Sequence, residues 1–79
     1  MARRSAKSLH WHRPLSDVLA TGTIRRTWTA TDGRYRVEEH KHQGVRTTYL
    51  AIDAMCSLIS RHRKRKEAIA RCELARRRK

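Results

Sequence analysis

The sequence contains no phenylalanine, and Trp11, Trp28, Tyr35 and Tyr49 are its only aromatic residues. A chain so poor in large apolar groups builds one small core, and its 79 residues fit a single domain. Such a domain buries only about 60–65% of the surface its unfolded chain exposes. No apolar run approaches the ~18 residues of a spanning helix. The opening stretch MARRSAKSLHWHRPLSD carries positive charge but lacks the apolar centre of a secretory signal, so no membrane association is expected. Cys56 and Cys72 are the only cysteines, with no Cys-x-x-Cys. Read as members of one helix, they stand ~24 Å apart along it and cannot form a disulfide. The expected setting is a reducing cytoplasm, that of the host cell if the chain is phage-encoded.

Further absences bear on catalysis. There is no Gly-rich phosphate loop and no Gly-x-Ser-x-Gly turn. Glu38 and Glu39 are adjacent, so on a strand they face opposite sides and cannot act as a carboxylate pair. His10 and His12, and His40 and His42, form two His-x-His pairs. The second pair could share a metal on a strand, but the ligand spacing of a zinc site is missing, and both read as surface histidines. No enzymatic activity, metal or cofactor is expected.

Acidic residues are scarce too: seven Asp and Glu face twenty Lys and Arg, for a formal net charge of +13. Cations at this density repel one another and call for an acidic partner. Nucleic acid, or a nucleoprotein, is the commonest partner of so basic a domain; by charge alone an anionic membrane surface or an acidic protein surface would also fit. The same charge opposes self-association, so a monomer or weak dimer is expected.

The pattern along the chain predicts an α+β fold: a three-stranded antiparallel sheet packed on one long C-terminal helix, with a short N-terminal helix. Residues 1–8 have no periodicity and read as a mobile basic arm. In LHWHRPLSDVLATG, Pro14 suits a first helical turn, Leu15, Val18 and Leu19 follow helical spacing, and Gly22 reads as the stop. From Thr23 the period becomes two. Ile24, Trp28 and Ala30 alternate with Arg25, Thr27 and Thr29, and Asp32-Gly33 marks a hairpin turn. Tyr35 and Val37 then alternate with Arg34, Arg36, Glu38 and His40. After Gln43-Gly44, Val45, Thr47 and Tyr49 alternate with Arg46, Thr48 and Leu50. Near Ile52 the pattern turns helical, with Asp53 in the first turn and Ala54, Met55, Leu58, Ile59 and His62 on one stripe that Ile69 rejoins. No Gly or Pro follows Gly44 to stop this helix, which outruns its sheet near Arg65. The domain is expected over residues 9–74, with a basic tail over 75–79.

The order strand, Asp-Gly, strand, Gly, strand, helix resembles the small β-β-β-α DNA-binding domains, the AP2 type and the arm-binding domain of phage integrases. The matching residues are Trp28 before Asp32-Gly33, Tyr35 and Val37 after it, Gly44 and Arg46, and YLAIDAMCSLI at the helix entry. The resemblance implies a sheet face laid in a major groove, with Arg25, Thr27, Thr29, Arg34, Arg36, Arg46 and Thr48 facing the DNA. In size and architecture the chain also resembles small phage anti-CRISPR proteins. That likeness implies an inhibitor that binds a bacterial defence complex and blocks its recognition of nucleic acid.

The residues themselves nominate two contact regions. Arg25, Arg34, Arg36 and Arg46 share the outer sheet face with Thr hydroxyls, and both groups bond phosphates. A solvated sheet face is the alternative reading. Arg61, Arg63, Lys64, Arg65 and Lys66 encircle the predicted helix, either as a contact for acidic partners or as a solvated or targeting segment. Trp28 reads as core, and Trp11 as core closure ahead of a base-stacking contact.

Overall fold

Tight turns divide most of the chain into short strands, and the computed structural model describes residues 10–77. The elements are β1 (Leu15–Val18), β2 (Ile24–Thr29), β3 (Arg36–Lys41), β4 (Thr48–Ile52), β5 (Leu58–His62) and α1 (Arg65–Arg77). All neighbouring strands are antiparallel, and the five-stranded sheet keeps the order β1-β2-β3-β4-β5. The α+β class and the C-terminal helix agree with the sequence. The three-stranded sheet, the N-terminal helix and the helix from Ile52 do not.

The N-terminal error came from apolar spacing without burial. Leu15 and Val18 follow a helical interval, yet they are 76% and 69% exposed, so no core rewards a helix there. The segment instead pairs with β2, matching Leu15 with Thr27 and Val18 with Ile24. The bidentate pairing of Arg25 with Asp17 reinforces that register. Gly22, read as a helix stop, has φ +86° in the β1–β2 turn. Its N–H bonds the Leu19 carbonyl at 2.9 Å. Upstream, Trp11 bridges to Ala30, which extends this edge of the sheet.

The second error concerns Asp53. It was expected in the first turn of a helix, where its carboxylate would favour the positive end of the dipole. Its carboxylate instead accepts the Met55 and Ser57 N–H groups at 2.9 and 3.0 Å, which closes a hairpin. Cys56 sits at φ +62°, the left-handed position that Gly22 holds in the first hairpin. The chain then returns as β5. A bulge where Ala51 pairs with Ser60 and Ile52 with Leu58 leaves Ile59 without a partner, and Ile59 packs against the core. Met55, expected in the core, is 82% exposed at the turn. The predicted stripe of Ala54, Met55, Leu58, Ile59 and His62 is therefore split between a turn and a strand.

The Asp32-Gly33 hairpin and the face assignments of β2 and β3 agree with the sequence. Ala30 and Tyr35 close that turn at 2.8 Å, and Trp28 lies opposite Val37. α1 covers the Trp28–Val37–Ala51 face and contacts β3, β4 and β5. Ala51, Ala68 and Cys72 have no exposed surface, so small side chains let the helix approach the sheet closely. The Cys72 thiol donates to the Arg36 carbonyl at 3.9 Å. Burial pushes that thiol up to about 11. Cys56 and Cys72 are both free, on different elements rather than on one helix. α1 includes Ala75, Arg76 and Arg77, which had been assigned to a tail. The expected mobile arm over residues 1–8 lies outside the described residues.

Candidate nucleic-acid interface

The sheet presents one face to α1 and leaves the other open. Arg25, Thr27 and Thr29 of β2 share the open face with Arg36, Glu38 and His40 of β3, as alternation required. Arg61 of β5 shares this face, in line with Leu50 and Glu38, and the other arginines on the described strands there are paired. β1 brings Asp17 beside Arg25, whose Nε donates to Oδ1 at 3.0 Å. This hydrogen bond holds the Asp17 carboxyl below its ordinary range and raises Arg25. Arg36 Nε lies 3.2 Å from Glu38 Oε2, at ion-pair distance but without hydrogen-bond alignment. Glu38 Oε1 is 2.9 Å from His40 Nε2. A shallow groove of about 520 Å³ runs over this mixed surface between β1 and β3. The sequence had shown Glu38 as its only acid; Asp17 was missed because its segment was read as a helix.

The covered face holds a second set of charges. Arg26 is bidentate to Glu39, at 2.7 and 2.9 Å, and Tyr49 Oη donates to the same carboxylate at 2.7 Å. With the Arg26 bonds contributing most, Glu39 is held down at about 2. The Arg26 and Arg65 guanidinium carbons lie 4.8 and 5.0 Å from the Trp28 ring centroid. Such cation–π contacts fix both side chains against the core. Strand parity could have found this network. Arg26 shares the side of Trp28, and the Asp-Gly hairpin register sets Glu39 opposite it.

Six cations, Lys41, Arg46, Arg63, Lys64, Arg65 and Lys66, gather at one end. Ile24 opposite Lys41, and Tyr49 opposite His62, bring the 19–23 turn, the 42–47 loop and the start of α1 together. Arg46 lies in the 42–47 loop, Arg63 and Lys64 in the β5–α1 connection, and Arg65 and Lys66 in the first helical turn. All five are exposed. Arg46, Arg63, Lys64 and Lys66 have no carboxylate in an ion pair among the described residues. Glu67 is the sole acid of the first turn, and its Oε1 lies 3.9 Å from His62 Nδ1. Cations here oppose the positive end of the helix dipole, while Arg76 and Arg77 suit the far end. This arrangement is electrostatically unfavourable for the helix.

The two regions nominated from sequence are thus redistributed. Arg25 and Arg36 are on the open face and paired. Arg34 is in the β2–β3 turn at the opposite end, where Asp32 lies 3.8 Å from Arg76. Arg61 is on β5 opposite Leu50. Arg46 joins Arg63, Lys64, Arg65 and Lys66 at the basic end, with Lys41 flanking them. His40 and His42 do not form a shared site: His40 bonds Glu38, and His42 Nδ1 lies 3.1 Å from Thr23 Oγ1. Among the described residues, no three His, Cys, Asp or Glu side chains converge as a metal site. No helix of the described residues is long and apolar enough to cross a membrane.

Comparison of the chain with protein-family models, with curated proteins and with solved structures returns no match.

Proposed function

We propose that the protein is a non-enzymatic binding protein that engages nucleic acid, alone or within a nucleoprotein, through the cations of its basic end. The observation that supports this reading is the gathering of Arg46, Arg63, Lys64 and Lys66 without carboxylate partners beside Arg65. Lysine and arginine hold phosphates as point charges or bidentately, and a compact cluster focuses the field on a polyanion. The open sheet face plays a secondary part, because Asp17 and Glu38 already occupy Arg25 and Arg36. Arg34 and Arg61 lie outside the cluster and add to the general attraction.

With about four phosphates neutralised, log K falls with log salt at a slope of roughly −3.6, or about a hundredfold in affinity between 50 and 200 mM. Fluorescence anisotropy with a labelled oligonucleotide over that range tests it. A flat salt response removes the proposal. If the chain ignores nucleic acid yet retains one protein from a nuclease-treated lysate, the inhibitor reading replaces it.

A further inference from the structure

Two long stretches of this basic chain carry no Lys, Arg or His: residues 14–24 and 47–60. The second supplies β4, an interior strand, and most of its hairpin with β5. The first forms β1, an outer strand of the sheet, and the turn after it. We propose that β1 is an interface for a second copy of this chain, which pairs with it edge to edge in the antiparallel sense.

The backbone of β1 is ready for such pairing. The Leu19 N–H bonds the Thr23 carbonyl at 2.8 Å, and the ladder continues with Asp17 opposite Arg25 and Leu15 opposite Thr27. Hydrogen bonding alternates along an antiparallel ladder, so Leu15, Asp17 and Leu19 turn their backbone groups to β2. Ser16 and Val18 turn theirs outward, and no strand meets them among the described residues. Edges are usually blunted by lysine, proline, a bulge or a covering element. The β5 edge has such protection: a bulge in its pairing with β4, Arg61 on the strand, and α1 packed over it. On β1 all four residues are exposed, and Pro14 stands before the first of them. Leu15 and Val18 are large apolar side chains left in water, and Asp17, the single charge, is neutralised by Arg25.

Charge selects the occupant. An acidic partner is drawn to the cation-bearing surfaces and gains nothing from this one. A protein of like charge approaches only where both partners lack cations. A second copy meets that condition, because a two-fold pairing sets the same cation-free strand on both sides. The basic end lies toward Val18, so antiparallel pairing points the two basic ends in opposite directions. Registers centred on Ser16 or Val18 join the outward groups and keep Asp17 from facing its own copy. A four-residue edge with two apolar side chains falls short of the roughly 1,200 Å² of a standard interface, so a weak dimer follows, with Kd of about 10–100 µM. Salt screens the repulsion between two positive protomers and strengthens the dimer, the reverse of its expected effect on nucleic-acid binding.

The experiment is sedimentation equilibrium of the nucleic-acid-free full chain from about 5 to 300 µM, at about 100 and 500 mM salt. A monomer–dimer equilibrium is expected, at least threefold tighter at the higher salt. Val18→Lys and Ser16→Lys place cations on exposed positions of β1. Each is expected to weaken the dimer at least tenfold while the thermal midpoint stays unchanged. Met55→Lys, on the β4–β5 turn, is expected to leave the dimer within twofold of the parent. A chain that stays monomeric throughout overturns the inference. A dimer that survives both edge lysines, or that Met55→Lys abolishes, places the contact elsewhere and also overturns it. Association that weakens with salt is held by charge pairs and contradicts it as well.

Discussion

Replacing Glu39 with Gln offers the sharpest test of the forces in the fold. Glu39 is 4% exposed and takes hydrogen bonds from Arg26 and Tyr49. Its pKa falls from 4.5 to about 2. At 1.36 kcal/mol per unit, that depression caps its contribution at about 3 kcal/mol. The Arg26 side chain is 41% exposed, so solvent screens the pair, and about 1–2 kcal/mol is the expected value. A folded-state pKa below the unfolded one means that the stabilisation is complete above about pH 4.5. It is lost as the pH falls towards 2. Urea unfolding of the parent and of Glu39→Gln, followed by tryptophan emission at pH 7, 4 and 2.5, measures the difference. The variant should be less stable by about 1–2 kcal/mol at pH 7, with the gap narrowed to roughly a quarter of that at pH 2.5. Asp17 and other carboxylates titrate in both proteins and cancel in the difference. A gap that stays constant from pH 7 to 2.5 would refute the assigned network.

Other outcomes follow from individual positions. Cys56→Gly should stabilise the fold by roughly 1 kcal/mol, because glycine relieves a left-handed residue at φ +62°. A lower unfolding midpoint would contradict the turn geometry. Thiol labelling of the native protein should modify Cys56 quickly and spare Cys72, which is fully buried and has its pKa pushed up to about 11. Two fast thiols would show that α1 is not seated on the sheet. Ala68→Leu should cost about 1–3 kcal/mol by forcing the helix off a surface where Ala68 has no exposed area. An unchanged midpoint in thermal unfolding would mean that the contact is loose.

The central hairpin was legible because its signals are local and agree with one another. Asp32-Gly33 set the turn, and Trp28 opposite Val37 set the side that faces the core. The two ends of the sheet were not legible, for a shared reason. Around Leu15 and around Leu58, apolar residues fall at helical intervals by composition, while what decides the structure is a turn and a neighbouring strand. A hairpin whose left-handed position is filled by Cys56 instead of glycine carries no residue that announces it. The candidate site was half legible. The basic run from Arg61 to Lys66 stood out, but reading it as mid-helix hid that it caps a helix start beside the loop of Arg46. Arg25 and Arg36 were placed on the correct face. Their neutralisation depends on pairing across strands, and for Arg25 on a strand that composition did not reveal.

The central claim is that phosphates are held at the basic end and not on the open sheet face. The most direct measurement compares the salt slope of duplex binding for the parent, for Arg63→Ala with Lys64→Ala, and for Arg25→Ala. Removing two phosphate contacts should reduce the slope by about 1.8, while Arg25→Ala should leave it nearly unchanged. An unchanged slope in the double variant, with the loss appearing in Arg25→Ala, would contradict the account and return the site to the sheet.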